Sequence, residues 1–152
     1  MRMLALTVLC VVCPTLVASA ADMAPPWAFK GKPAEGYSID LVSIDPAPGT
    51  VLQTGERVGF KITITYAMSI AEQGRIVLVF QDENNRQLRS GEQVATDVSG
   101  HEGKVSLAAT VTVPKHAKEL RLFVPLIPAG LAATGGELTF RYPVKRAAMK
   151  GN

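Results

Sequence analysis

Cysteine is almost missing from this chain. The two present among 152 residues, Cys10 and Cys13, both fall in the first twenty positions. Their Cys-x-x-Cys spacing is that of a redox motif. The surrounding stretch, MRMLALTVLCVVCPTLVASA, is instead built like a secretory signal peptide. Arg2 supplies a short positive start, Leu4 to Val17 an apolar run, and Ala18-Ser19-Ala20 a small-residue cleavage site. Cleavage after Ala20, or alternatively after Ala21, removes both thiols, so the product must rely on its core rather than on disulfides. A lipidated product does not fit, because Leu9 precedes Cys10 and Val12 precedes Cys13 where a small residue is needed. The apolar run is also too short and too weakly flanked to span a bilayer, so no stable membrane insertion is expected. No N-x-S/T sequon occurs. Export with neither disulfides nor glycosylation sites points to a bacterial periplasm or medium.

Charge of one sign is lacking too. The chain carries 16 basic and 13 acidic residues. The last residues, KRAAMKGN, hold three of the basic ones, which leaves the body near neutral. With no basic face along any segment, nucleic acid is not an expected partner, and a cationic tail reads as a solvated end.

Catalytic chemistry is equally sparse. No cysteine lies beyond position 13, and the two histidines, His101 in SGHEG and His116 in PKHAK, both sit beside turns outside HExxH or HxH spacing. His101 stands near Asp97 and Glu102, and a solvated turn histidine accounts for it better than a metal ligand does. Gly135-Gly136 lacks the further glycines, the lysine and the following helix of a phosphate-binding loop. No catalytic residues, metal or cofactor are expected, and an enzyme is the least favoured class.

What the chain does have is strand periodicity. ADMAPPWAFKGKPAEG, residues 21–36, carries three prolines and a Trp-x-Phe pair, and reads as an extended arm rather than a ladder strand. From Tyr37 the pattern changes. YSIDLVSID is a strand closed by the turn residues PAPGT. In ERVGFKITITY, Val58, Phe60, Ile62, Ile64 and Tyr66 alternate with small or polar residues, and KVSLAATVTV repeats the pattern. RIVLVFQDE, ELRLFVPLI and ELTFRYPV add three more strands, with weaker ones around Gln87–Arg89 and Val94–Val98. No heptad, repeat or helix stands out. Seven or eight short strands split by Gly/Pro turns predict an all-β, antiparallel β-sandwich with Greek-key connections over residues 37–144, followed by a short basic tail, 145–152.

Three stretches carry a resemblance: DPAPGTVLQTGERVGFKITITY, the VTVP…ELRLFVPL pair and GGELTFRYPV. Over residues 37–144 the chain resembles the immunoglobulin-like and fibronectin type III-like domains of secreted bacterial proteins. It departs from them in having no tryptophan in the third strand, no cysteines to bridge the sheets, and Leu120 near the place of a corner tyrosine. The resemblance implies that the third, sixth and seventh strands are neighbours in one sheet.

That arrangement exposes an oddity. Ile76 to Phe80 are apolar without a break, although a strand with one wet face should alternate. If Ile76, Leu78 and Phe80 point inward, and Leu120, Leu122, Val124, Leu126, Leu138, Phe140 and Tyr142 do likewise, the outside of that sheet gathers Val77, Val79, Phe123, Pro125 and Ile127, rimmed by Arg75, Arg121 and Arg141. Such a patch measures about 300–400 Å², the size at which exposure begins to need a reason. Covering it is worth at most roughly 7–10 kcal/mol. Three coverings are open: the arm folding back with Trp27 and Phe29, a protein partner or second copy docking there, or long neighbouring side chains shielding the strand pair. The expected function is a secreted, non-catalytic protein-binding or structural module, with a carbohydrate- or surface-binding module using Trp27 and Phe29 as the alternative.

Overall fold

In ERVGFKITITY every second residue is bulky and apolar, and that alternation builds the centre of the smaller sheet. In the computed structural model, which describes residues 27–147, the chain forms nine strands and, among the described residues, no helix. They are β1 (Ala28–Lys30), β2 (Tyr37–Asp45), β3 (Leu52–Gln53), β4 (Arg57–Met68), β5 (Gln73–Asp82), β6 (Val94–Ser99), β7 (Glu102–Thr112), β8 (Glu119–Pro128) and β9 (Gly136–Lys145). The smaller sheet runs β2-β4-β7 and the larger β1-β9-β8-β5-β6, with β3 joining β9 in parallel. The chain changes sheet at every connection except β5–β6 and β8–β9, which pair as antiparallel neighbours. The protein is an antiparallel immunoglobulin-like β-sandwich. The expected signal peptide, residues 21–26 and residues 148–152 lie outside the described residues.

The strand parities expected from the sequence hold throughout the core. Phe60, Ile62, Ile64, Tyr66 and Met68 of β4 meet Leu107, Ala109 and Val111 of β7 on one inner layer. Ile76, Leu78 and Phe80, with Leu120, Leu122, Val124, Leu126, Leu138, Phe140 and Tyr142, form the other. Phe60 joins the two layers: its ring meets Phe80 at 5.2 Å and Tyr142 at 5.0 Å between centroids, both edge-on, the arrangement aromatic quadrupoles favour. The Tyr142 hydroxyl donates to the Pro46 carbonyl at 3.0 Å, tying the PAPGT turn to β9. Burial, reinforced by the nearby Asp45 carboxylate, pushes this phenol above its ordinary ionisation range.

Three local findings differ from the sequence reading. The arm does supply a ladder strand. Ala28, Phe29 and Lys30 pair with Phe140, Thr139 and Leu138, because the prolines flank this triplet rather than interrupt it. The segment Gln87–Arg89 contributes only one isolated bridge, Gln81 to Gln87. The loop is organised instead by the Asp82 carboxylate, which accepts from the Asn84 and Arg86 amides at 2.8 and 2.9 Å. These bonds hold that carboxyl below its usual range. Finally, β2 carries an irregularity between Leu41 and Ser43. The extra residue, Val42, lets Leu41 and Ile44 both lie opposite buried isoleucines of β4 despite their odd spacing.

The two outer faces differ in chemistry. On the smaller sheet the outward rows of β4 and β7 pair Thr63 with Ser106, hydroxyl to hydroxyl at 2.9 Å, and Thr65 with Lys104. Those rows are made for water, although Leu41 and Val42 of β2 are exposed beside them. On the larger sheet the corresponding positions are valines, a phenylalanine, a proline and an isoleucine.

Candidate functional site

In antiparallel sheets residues directly opposite project to the same side, so register arranges the outward residues of β1, β9, β8 and β5 in rows. The central row is Phe29, Thr139, Phe123 and Val79, each paired with the next. Beyond it lie Arg141, Arg121 and Gln81. On the other side Glu137 pairs with Pro125, beside Val77, and the last row holds Ile127, Arg75 and Asp97. All eight patch residues read from the sequence thus belong to one face.

Their exposure is uneven. Val77 is 7% exposed and Pro125 is buried, although among the described residues no further layer lies on this face. They sit between rows of longer side chains. For these two positions shielding by neighbours is the covering the structure displays. Val79 and Phe123 are half-buried, while Ile127 is 40% and Phe29 44% exposed. Pro125 costs the sheet little. The β5–β8 ladder skips Val77 and Leu78, opposite the proline and its neighbour, and resumes in the same register, so Ile127 keeps its outward parity.

The arm does not cross the patch. It extends the sheet sideways. Phe29 becomes the fourth member of the central row, whereas the Trp27 ring lies against Gly49, where an added Cβ would come within 2.5 Å of it. The Gly49 amide donates to the Arg141 carbonyl, and the Arg141 amide donates to the Trp27 carbonyl. The two residues read as one aromatic pair therefore serve different purposes: Trp27 fastens the turn and Phe29 widens the face.

The arginines are not loose rim charges. Arg121 donates to Glu119 at 2.6 Å and to the Asn85 side chain at 2.6 Å. Glu119 also lies 3.7 Å from Arg141, whose guanidinium stands 4.4 Å over the Phe29 ring. Glu119 thus links the two arginines, and the cation–π contact holds Phe29 in place. Arg75 pairs with Asp97 at 2.7 Å, which holds that carboxyl below its usual range. Glu119 and the strand role of Phe29 were missed by the sequence reading. Phe29 itself stood out as an aromatic residue, but neither its three-residue strand nor its ladder partners left a signal in the sequence. Near Ile127 the face dips into an open recess of about 660 Å³ bordered by Gln73, Arg75, Asp97 and Pro128.

His101 stands apart from all this, with Nδ1 at 3.1 Å from the Met68 carbonyl, while Asp97 is engaged with Arg75. Among the described residues no three His, Cys, Asp or Glu side chains gather as a metal site, and no helix is long and apolar enough to cross a membrane.

No protein-family model matches the chain, and no curated protein matches it. Among solved structures it is similar to a CARDB domain from Pyrococcus furiosus, crystallised in complex with di-metal ions. Identity is 10% and the TM-score 0.48, over 76% of this chain and 94% of that one. It is also similar to part of a glycosyl hydrolase family 2 member from Bacteroides cellulosilyticus, at 12% identity and a TM-score of 0.45, over 71% of this chain. There it spans only 14% of the hydrolase. At these identities the likeness is one of fold.

Proposed function

We propose that this chain is an exported, non-catalytic β-sandwich module that binds protein through the outer face of its larger sheet. The row Phe29–Thr139–Phe123–Val79 carries the reading. It places two aromatic rings and a valine in register on one face, while the paired rows of β4 and β7 on the opposite face are polar. An apolar centre beside an Arg–Glu–Arg cluster has the anatomy of a protein interface, where aromatics and arginine dominate binding. The occupant is a protein partner or a second copy of the chain. A glycan platform fits less well. Arg141 already occupies one side of the Phe29 ring, and Trp27 is spent on Gly49.

Phe123→Asp places a carboxylate at the middle of the row. It is expected to abolish self-association in sedimentation and partner capture in pull-down, while the melting midpoint falls by only a few degrees. Association of the variant equal to that of the wild type would show that the face is not the interface. Thr63→Asp on the polar face should leave association unchanged.

A further inference from the structure

Cations far apart in the sequence meet where the β7–β8 turn touches the end of β9. The Val144 amide donates to the Lys118 carbonyl at 2.9 Å, which fastens the PKHAK turn to the strand end, and the Ala117 amide closes that turn on the Pro114 carbonyl. Between turn and strand lies a recess of about 240 Å³, lined by Lys115, His116, Lys118 and Arg146 over Ala117 and Val144. Among the described residues none of these cations forms an ion pair. The neighbouring carboxylate is committed elsewhere. Glu119, next to Lys118 in the chain, holds Arg121 and lies near Arg141. The residues lining the recess include two lysines and an arginine and no carboxylate.

Like charges lining one recess repel one another, and a counter-ion between them relieves the repulsion. A lysine pair with an arginine fork offers several donors to one multiply charged acceptor, and guanidinium matches phosphate oxygens two at a time. We propose that this recess binds a phosphate-class oxyanion, whether a lipid headgroup or a free phosphate. Its size suits one or two phosphoryl groups rather than a tract of polymer. The site is separate from the outer face of the larger sheet, so Phe123→Asp should leave it intact.

Calorimetric titration of the protein with pyrophosphate at low salt tests this. Binding is expected, weakening as salt screens the charges, and Lys115→Gln/Lys118→Gln/Arg146→Gln should lose about tenfold in affinity or more. Arg146→Gln alone should lose about threefold, whereas the control Lys32→Gln/Lys104→Gln should bind as wild type. Sedimentation with phosphatidylglycerol vesicles, against phosphatidylcholine alone, separates the sources. Capture of those vesicles that the triple variant loses assigns a lipid headgroup, and pyrophosphate binding without vesicle capture assigns a soluble phosphate. Failure of both probes, or equal binding by the triple variant and the control, overturns the proposal.

Discussion

Phe60→Ala is expected to destabilise the protein by about 3–5 kcal/mol, the range for truncating a buried aromatic. The position is demanding because Phe60, from the smaller sheet, is the ring that meets both Phe80 and Tyr142 of the larger. Truncation leaves a void between layers whose walls are held by separate ladders, so neither sheet can collapse into it cheaply. Two edge-on aromatic contacts disappear as well. Against a total stability of about 5–15 kcal/mol for a domain of this kind, the variant should be partly unfolded at room temperature or melt far earlier. Phe60→Leu should restore part of the loss. Urea titration followed by far-ultraviolet circular dichroism measures it, and a cost under about 1 kcal/mol would contradict the placement of this ring.

The second large effect is expected from removing residues 21–36. The segment contributes β1, the Gly31 amide donating to Glu137 at 3.0 Å, the Ala34 amide donating to Gly135 at 2.9 Å, and the Trp27 carbonyl that receives the Arg141 amide at 2.7 Å. Lys30 pairs with Asp40 of β2, and Ala28 and Ala34 pack against the core. Each hydrogen bond is worth about 0.5–1.5 kcal/mol net, while exposed pairs such as Lys30–Asp40 add little. A loss of about 2–4 kcal/mol follows, enough to lower the melting temperature by several degrees. Removal also bares the outer edge of β9 from Glu137 to Phe140, an invitation to strand pairing between molecules, so the truncated protein should aggregate more readily. An unchanged midpoint would show that β1 adds nothing to the sheet.

These effects bear on what was legible in the sequence. Long strands with clean alternation, such as Val58 to Tyr66 and Val105 to Val113, declare both their type and their inward face, because a period of two leaves little freedom of register once one side must be buried. The break in alternation at Ile76 to Phe80 located the unusual face for the same reason. Short edge pieces carry no such signal. Ala28–Lys30 is too brief to show a period, and Leu52–Gln53 pairs in parallel with residues about ninety positions away. Side-chain commitments were hidden as well. Nothing local shows that Glu119 would serve both Arg121 and Arg141, and the meeting of Lys115 and Lys118 with Arg146 depends on how β7, β8 and β9 close the same end of the sandwich. The burial of Val77 and Pro125 is likewise a property of the assembled rows, which is why the patch expected to be uniformly open is concentrated at Phe29, Phe123, Val79 and Ile127.

The central claim is that the Phe29–Thr139–Phe123–Val79 row is open in the isolated protein and covered in its working state. Thr139 lies between the two rings, which makes it the natural reporter. With Cys10 and Cys13 replaced by alanine, Thr139→Cys should react readily with a soluble maleimide in dilute purified protein. In the cells that make it, or at high protein concentration if a second copy is the partner, the reaction should slow by about tenfold or more, and Phe123→Asp should abolish the protection. Equal labelling in the dilute protein, the concentrated protein and the cell would contradict the account.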